Sequence, residues 1–258
     1  MKSLDRMLAL LDAFTPESPV WSTDALIRQS GTSASTCYRY LRSLHGAGLL
    51  ARVANGSYIL GPRVLEMDRI TRLCDPVYLV GGPVIEQLSS RTGHSVILCI
   101  LYSNTVMCVR EALAAGSPPE LFSRGQRRPL FRGASAKAIL AWLPAHQLRT
   151  LFGKHADTIA RAGLGADWVT FRQSLRQIRE AGYAVSSGEA NPGIAAIAAP
   201  IFNRDGDVLG SLSLAIAIGN VDAHFVDLAG PVVAAAADVT RRIGDTLQLL
   251  GFPARAVG

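Results

Sequence analysis

Residues Gln29–Leu50 read QSGTSASTCYRYLRSLHGAGLL, and this stretch decides how the first part of the chain folds. Gly31 predicts a tight turn, and the hydroxyl-rich run after it predicts a helix over about residues 33–45. Gly46 and Gly48 are predicted to end that helix. A glycine turn that leads directly into such a helix is typical of a helix-turn-helix unit.

The predicted helix has two chemically different faces when it is placed on a helical wheel. Its polar face carries Ser35, Arg39 and Arg42, with Thr36 and Tyr38 beside them. The opposite face is apolar and consists of Cys37, Leu41 and Leu44. The apolar face is predicted to pack on neighbouring helices. The polar face then points outward, where hydroxyls can approach phosphates and arginines can reach phosphates or guanine edges.

The flanking sequence completes a winged helix-turn-helix over residues 1–61. Upstream, apolar residues at helical spacing predict an amphipathic first helix over residues 4–14, and Ser22 is the predicted N-cap of a second helix that ends near Ser30. Downstream, two short apolar runs flank Asn55-Gly56, the pair typical of a two-residue type I′ hairpin turn.

Positive charge is concentrated on this predicted unit. The chain has a net charge of +6, and no acidic residue occurs between Asp24 and Glu66. That interval contains five arginines: Arg28, Arg39, Arg42, Arg52 and Arg63. Such a distribution predicts binding to double-stranded operator DNA, the alternative being a solvated amphipathic helix. The predicted contact residues are Ser35, Thr36, Tyr38, Arg39, Arg42 and Arg52.

The remainder of the chain predicts a linker helix and an α+β domain. The linker helix covers residues 62–75, and a domain over residues 76–251 precedes a C-terminal tail at 252–258. Strands are predicted at residues 94–101, 105–113, 183–187, 194–202 and 208–218, and helices at 77–91, 134–143, 167–182 and 222–250, the last interrupted near Pro231. Adjacent strands joined by hairpins predict a mainly antiparallel sheet flanked by helices.

The sequence resembles the IclR-type bacterial transcriptional regulators along nearly its whole length. In the winged helix the matching residues are Gly31, Ser35-Thr36, Arg39, Leu41, Leu44, Gly48 and the run YILGP at 58–62. Further on, the matching stretches are PLFRGASAKAILAWLP, IREAGYAVSSGEANPGIAAIAAPIFNRDGDVLGSLSLA and the final long helix. Ala34 departs from the pattern, because the family often has a basic residue just before Ser-Thr. The resemblance implies a cytoplasmic one-component regulator with a GAF-like effector-binding domain, which forms homodimers or dimers of dimers.

The resemblance also implies an effector site for a small organic or aromatic acid. The family positions fall on Ala134, Ser135, Ser186, Ala196 and Ser213. Independently, Gly133-Ala134-Ser135 begins a predicted helix, where free backbone amides can hold a carboxylate. Four arginines precede this helix, Arg124, Arg127, Arg128 and Arg132, and Arg128 is the predicted source of positive charge in the site. Relatives that bind short keto acids often carry an acid and a cysteine where this chain has Ser186 and Ala196, which favours a larger or less polar effector.

Other function classes fit the sequence less well. The run GASAK at 133–137 half-matches a nucleophile elbow but lacks its last glycine, and Ser135 and Lys137 are not one helical turn apart. We therefore predict no catalytic site and no cofactor. The four cysteines lack C-x-x-C spacing and the five histidines are scattered, so we predict neither a disulfide framework nor a metal site. No apolar run reaches bilayer length. A DNA-binding module with a purely structural dimerisation domain remains an alternative.

Overall fold

The computed structural model describes residues 3–117, 122–221 and 224–249. Its backbone divides into two compact units, an N-terminal unit of residues 1–74 and a C-terminal unit of residues 75–258. The N-terminal unit contains, in chain order, α1 (Ser3–Ala9), α2 (Thr23–Ser30), α3 (Ala34–Gly46), β1 (Leu50–Arg52), β2 (Tyr58–Leu60) and α4 (Arg63–Cys74). The predicted order of three helices, a hairpin and a further helix is confirmed.

Local capping explains where α2 and α3 begin and end. The side chain of Ser22 accepts a hydrogen bond from the amide of Ala25 at 3.3 Å, and Ser33 caps α3 in the same way. Gly31 lies between the two helices with a φ of 59°, a left-handed conformation that glycine adopts at no steric cost. The prediction that Gly46 and Gly48 end α3 is confirmed, because Gly46 is the last residue of the helix and Gly48 follows in a left-handed conformation.

The core of the N-terminal unit forms around the apolar face of α3. Cys37, Leu41 and Leu44 are buried as predicted. Tyr40 is also buried, and its hydroxyl lies 2.8 Å from that of Ser3. The other buried members of the cluster are Leu10, Ala13, Leu26, Leu50 and Tyr58. Burying one face of α3 against α1, α2 and the hairpin leaves its other face outward.

The hairpin is confirmed, but its turn is longer than predicted. Strands β1 and β2 pair antiparallel, and the amide of Val53 donates to the carbonyl oxygen of Ser57 at 2.8 Å. Three residues, 54–56, therefore form the turn. Asn55 and Gly56 have the positive φ angles of 61° and 73° that a type I′ turn requires. Ala54 adds a helical residue before them, so the two-residue turn is a wrong prediction.

The C-terminal unit is a six-stranded sheet with helices on both faces. Its helices are α5 (Pro76–Thr92), α6 (Ala134–Leu140), α7 (Ala145–Arg161), α8 (Trp168–Ala181) and α9 (Ala229–Leu249). Its strands are β3 (Ser95–Tyr102), β4 (Thr105–Ala112), β5 (Arg127–Pro129), β6 (Ala184–Ser187), β7 (Ile194–Phe202) and β8 (Val208–Ala217). The strand order is β5-β4-β3-β8-β7-β6, and every pair is antiparallel, as predicted.

Each face of this sheet has its own core. Helices α5 and α9 pack on one face, with Val84, Ile85, Val232 and Val239 in contact with alternate residues of the strands. Helix α6 packs on the other face, and α7 and α8 extend the core there. Strand residues alternate between the two faces, so one set of strand side chains lies under α6.

Several other elements differ from the prediction. The first helix ends at Ala9 and continues as a 3-10 helix to Ala13, and α6 ends at Leu140 and not at residue 143. The α7 helix and the short strand β5 were not predicted. Pro231 does not interrupt the last helix, because α9 begins at Ala229 and proline is tolerated in a first helical turn, where its missing N–H costs no hydrogen bond. The predicted helix start at Asp222, its end at Leu250 and the tail at 252–258 lie outside the described residues.

Candidate nucleic-acid interface and ligand pocket

The exposed face of α3 carries the residues that the sequence predicted for DNA contact. Ser35, Tyr38, Arg39 and Arg42 are exposed, and Thr36 is half-buried. The hydroxyl of Ser33 donates to that of Thr36 at 3.0 Å. This bond fixes the first turn of α3 while Thr36 keeps its own hydroxyl hydrogen for another acceptor. One helix thus presents hydroxyls at its start and two guanidinium groups further along.

The arginines on this surface differ in whether they are already paired. Within the described part of the chain, Arg39 and Arg42 make no hydrogen bond or ion pair, and the same holds for exposed Arg52 at the end of β1. Arg63, in contrast, pairs with Glu66 at 2.6 Å. The unpaired guanidinium groups keep their full capacity to bind an anion such as a DNA phosphate.

A cleft lies between α6 and the sheet of the C-terminal unit. All six residues of the predicted effector site line it: Arg128, Ala134, Ser135, Ser186, Ala196 and Ser213. They reach this cleft from β5, α6, β6, β7 and β8, which are distant in sequence. Most of the remaining wall is apolar and includes Ile97, Val106, Phe122, Ile194 and Ala215. The structure therefore brings the predicted residues together in one mainly apolar cavity.

Hydrogen bonds tie the start of α6 to the strands beneath it. The hydroxyl of Ser135 donates to that of Ser213 at 2.9 Å, and Ser213 donates to the carbonyl oxygen of Ile97 at 3.4 Å. On the other side, the amide of Ala134 donates to the hydroxyl of Ser186 at 2.9 Å. The serines at family positions thus hold the cleft together by contacting one another and the backbone.

The expectation of free amides at the start of α6 is wrong for two of the three residues, Gly133 and Ala134, and holds for Ser135, whose amide has no acceptor among the described residues. The Gly133 amide donates to Oε2 of Glu189 at 3.1 Å, and the Ala134 amide is taken by Ser186. Glu189 also forms an ion pair with Lys137, whose side chain is only 13% exposed. An internal carboxylate from the β6–β7 connection therefore already occupies one amide at the helix end, which sequence spacing alone could not reveal.

The four arginines before α6 separate into two groups. Arg124 donates to the carbonyl oxygen of Val109 and lies over the ring of Tyr78, and Arg127 lies over the ring of Tyr102. These two face away from the cleft. The other two, Arg128 and Arg132, line it.

Arg128 is the predicted cation that the structure places most deeply in this cleft. Its guanidinium lies 4.4 Å from the ring centroid of Phe122, and within the described residues no carboxylate pairs with it. Burial lowers the pKa of Arg128, while the nearby sulfur atoms of Cys99 and Cys108 act in the opposite direction. A half-buried arginine without a carboxylate partner favours an anion as its ligand.

Two side chains that matter for the cleft were not predicted. Phe122 lies under Arg128, and no periodic pattern surrounds it in the sequence. Glu189 follows Gly188 in a turn-like stretch, and its contact with Gly133 spans 56 positions of sequence. Ile97, in contrast, could have been found, because alternation along β3 assigns it to the face of the sheet that also contains Cys99.

The run GASAK at 133–137 does not form a nucleophilic site. Ser135 donates to Ser213, and Lys137 pairs with Glu189. Within the described residues, no three His, Cys, Asp or Glu side chains converge to hold a metal ion. In the same part of the chain, no helix has the length and apolar character needed to cross a membrane.

Comparison with known proteins assigns each of the two units to a protein-family model. Residues 3–54 match the family model described as the IclR helix-turn-helix domain, and residues 76–241 match the model described as bacterial transcriptional regulator IclR C-terminal. Relatives include the HTH-type transcriptional regulator KipR of Bacillus subtilis, 29% identical over 95% of this chain and 98% of that protein. The regulator XynR of Escherichia coli is 27% identical over 86% of this chain and 88% of its own length.

Solved structures share the fold. An IclR transcriptional regulator from Alicyclobacillus acidocaldarius has a TM-score of 0.78 at 25% identity, covering 94% of this chain and 98% of that one. An IclR homologue from Microbacterium hydrocarbonoxydans, complexed with 4-hydroxybenzoate, has a TM-score of 0.72 at 21% identity, covering 94% of this chain and 99% of that one. Taken with the exposed face of α3 and the cleft under α6, these matches show that the chain belongs to the IclR family of DNA-binding transcriptional regulators, which are not enzymes.

Proposed function

We propose that this regulator binds operator DNA in a manner controlled by an organic or aromatic acid in the cleft under α6. The observation that carries the proposal is Arg128, a half-buried cation without a carboxylate partner among the described residues, in an otherwise largely apolar cavity. A carboxylate on an apolar body complements that combination of charge and surface. The 4-hydroxybenzoate bound by the Microbacterium hydrocarbonoxydans homologue has this chemistry.

The proposed ligand contacts follow from the cleft. Arg128 would pair with the carboxylate, and Ser135 and Ser213 would offer hydroxyls to a second polar group of the ligand. Ala134, Ser186 and Ala196 would shape the wall. Ser186 is committed to the Ala134 amide and Ala196 carries no polar atom, so this wall favours a larger, less polar acid than a short keto acid.

Operator recognition is proposed for the exposed face of α3. Arg39 and Arg42 would reach base edges or phosphates in the major groove, and Ser35, Thr36 and Tyr38 would position the helix on the backbone. Arg52, from the wing, would contact an adjacent phosphate. Unpaired guanidinium groups on a surface without acidic residues from 25 to 65 support this assignment.

We also propose that the protein self-associates. Two features support this: exposed leucines in the N-terminal unit, and the presence of one recognition helix in each chain. Leu4 and Leu8 of α1 are 69% and 53% exposed, and Leu65 and Leu73 of α4 are 74% and 61% exposed. Apolar surface of this kind is typically covered by a partner. A homodimer, or a dimer of dimers, would place recognition helices on half-sites about one helical turn apart or a multiple of it. Since it acts on DNA, we expect the protein in the cytoplasm, as a repressor or an activator.

A ligand screen tests the effector proposal directly. Thermal unfolding is measured with 4-hydroxybenzoate, benzoate and short aliphatic keto acids, and with 4-hydroxybenzamide as the uncharged control. An effector at ~100 times its Kd should stabilise the folded protein by about 2.7 kcal/mol, and should shift the salt-dependent binding of a promoter fragment. DNA binding that no acid alters, together with no thermal shift, would favour a purely structural second domain.

A further inference from the structure

Two buried cysteines lie directly opposite each other in the sheet, beside the cleft. Cys99 of β3 is the register partner of Cys108 of β4. Both belong to the core on the α6 side of the sheet, and they are 0% and 1% exposed. Ile97 and Val106, each two residues before one of the cysteines, line the cleft. The thiols therefore occupy the next positions along the same face of the sheet.

The backbone hydrogen bonds define which kind of cross-strand pair this is. The amide of Cys108 donates to the carbonyl oxygen of Gln126 at 3.1 Å, and its carbonyl oxygen accepts from the amide of Gly125 at 2.9 Å. Both polar groups of Cys108 thus point away from β3, which makes Cys99 and Cys108 a non-hydrogen-bonded pair. The register of the two strands shifts directly beside this pair, where Val109 is the extra residue of a bulge. In regular pairs of this kind the Cα atoms lie about 4.5 Å apart, inside the range of roughly 4.4–6.8 Å that disulfides span.

We propose that Cys99 and Cys108 are a modification site, which a peroxide converts into a reversible intrachain disulfide beneath the effector cleft. The surrounding side chains suit this chemistry. Ser211 of β8 is the register partner of Cys99 on its other side, and its buried hydroxyl has no hydrogen-bond partner among the described residues. An unpaired buried hydroxyl is costly. It is placed to donate to the oxygen of an oxidised Cys99.

The charged and polar neighbours assign different roles to the two thiols. Burial raises the pKa of Cys99 to about 12, while the nearby Ser135 hydroxyl and the positive charge of Arg128 act in the opposite direction. The Cys108 sulfur lies 3.7 Å from two acceptors, Oε2 of Glu111 and the carbonyl oxygen of Arg110. Burial, together with the negative charges of Cys99 and Glu111, raises the pKa of Cys108 well above its usual range. The neighbours of Cys99 therefore favour its thiolate, whereas those of Cys108 disfavour ionisation, so Cys99 is the thiol that we assign to the first attack.

The reaction follows from this order. The Cys99 thiolate attacks one oxygen of hydrogen peroxide, the O–O bond breaks, and the other oxygen takes up the thiol proton and leaves as water. Cys99 is then a sulfenic acid. The Cys108 sulfur attacks the Cys99 sulfur, Glu111 passes the Cys108 proton to the departing hydroxyl, and a second water leaves. Two thiols are oxidised to a disulfide, and the peroxide is reduced to two waters.

Peptide mapping tests the proposal on the full-length protein. The Cys74→Ser variant removes the exposed thiol, and buried Cys37 of the N-terminal unit remains as the internal control. Protein treated with hydrogen peroxide is denatured, alkylated and digested. Trypsin leaves both cysteines in one peptide, residues 92–110, and cleavage at Tyr102 separates them. We expect this peptide to lose two hydrogen atoms and escape alkylation, to recover both thiols with dithiothreitol, and to react about tenfold faster for each unit of rising pH.

Single variants test the order of attack. Cys108→Ser should leave a Cys99 sulfenic acid that dimedone traps, and Cys99→Ser should leave Cys108 fully alkylated. The proposal is overturned if the wild-type peptide remains doubly alkylated or gains oxygen atoms without linking. It is equally overturned if Cys37 is oxidised as fast as the pair. The wild-type measurement decides the matter even if a variant fails to fold.

Discussion

The hydroxyl of Ser135 lies 2.9 Å from the hydroxyl of Ser213, so a single hydrogen bond joins the first turn of α6 to the central strand β8. Both residues line the cleft. We expect Ser135→Trp to fill the cleft and abolish the thermal shift caused by an acid, while operator binding without ligand persists. Ser135→Ala is the matched control, because it removes the hydroxyl without filling space. A normal ligand response in the tryptophan variant would show that the effector does not bind in the cleft.

Arg128 provides a second, independent test of the same cleft. Arg128→Gln removes the charge but keeps a polar side chain. It should weaken binding of an acid by about 1.5–3 kcal/mol, the usual contribution of a hydrogen bond to a charged group, and should leave binding of the uncharged amide unchanged. Isothermal titration measures both ligands. Equal losses for acid and amide would show that Arg128 shapes the cleft and does not pair with the carboxylate.

Arg39→Ala tests recognition of DNA. If Arg39 makes a bidentate base contact, specific operator binding should weaken by ~1–3 kcal/mol, whereas a phosphate contact should instead reduce the salt slope by about one. Arg176→Ala is the control, since Arg176 is also exposed but lies on α8 and pairs with Glu180 at 2.7 Å. Gel shifts over a range of salt concentrations separate these outcomes. Unchanged affinity would exclude Arg39 from the interface.

The Lys137–Glu189 pair should matter for stability. Glu189→Ala leaves Lys137, 13% exposed, without its carboxylate and the Gly133 amide without an acceptor, so we expect a loss of about 1–3 kcal/mol in the free energy of unfolding. Glu180→Ala breaks an exposed pair and should cost less than ~1 kcal/mol. Urea denaturation measures both variants. Equal effects would mean that the partial burial of the Lys137–Glu189 pair adds nothing to its contribution.

Gly210 is expected to tolerate no side chain. A Cβ atom at this position would lie 2.0 Å from the carbonyl oxygen of Cys99, in the pairing of β3 with β8. Gly210→Ala should therefore displace a central strand and cost several kcal/mol of stability. Gly219→Ala is the control, because a Cβ atom there meets nothing within 4 Å. Thermal unfolding of the two variants and the wild type measures the loss of stability caused by each substitution.

Asp238 should contribute a pH-dependent part of the stability of α9. A hydrogen bond from Arg242 is the main reason that the pKa of Asp238 lies below its ordinary value of 3.8. A lowered pKa means that the contribution is present above the unfolded-state value and is lost as the pH falls below it. Asp238→Asn should thus be less stable near neutral pH and should lose less stability between about pH 4 and pH 2. Parallel stability curves would contradict this.

Local signals in the sequence predicted the N-terminal unit well. These signals are the caps Ser22 and Ser33, the left-handed Gly31 and the apolar periodicity of α3. Each acts over a few residues, so the local sequence is sufficient to predict the helices. The predicted length of the hairpin turn was one residue too short. The choice between two and three turn residues depends on strand register as well as on Asn55-Gly56.

Contacts between distant parts of the C-terminal unit were harder to predict from the sequence. The six cleft residues came from a family resemblance, and their convergence depends on the order of strands in the sheet. The contact of Glu189 with Gly133 depends on the same tertiary arrangement. Strand β5 escaped prediction because three residues with two arginines and a proline carry no alternating apolar pattern.

Strand β5 also limits how two copies of this protein can meet. It is the outermost strand at one edge of the sheet, it is three residues long, and it contains Arg127, Arg128 and Pro129. Proline offers no amide to an incoming strand, and two like charges repel a second copy of the same edge. Continuous sheets across subunits are therefore disfavoured here. This edge of the sheet is thus protected from edge-to-edge aggregation.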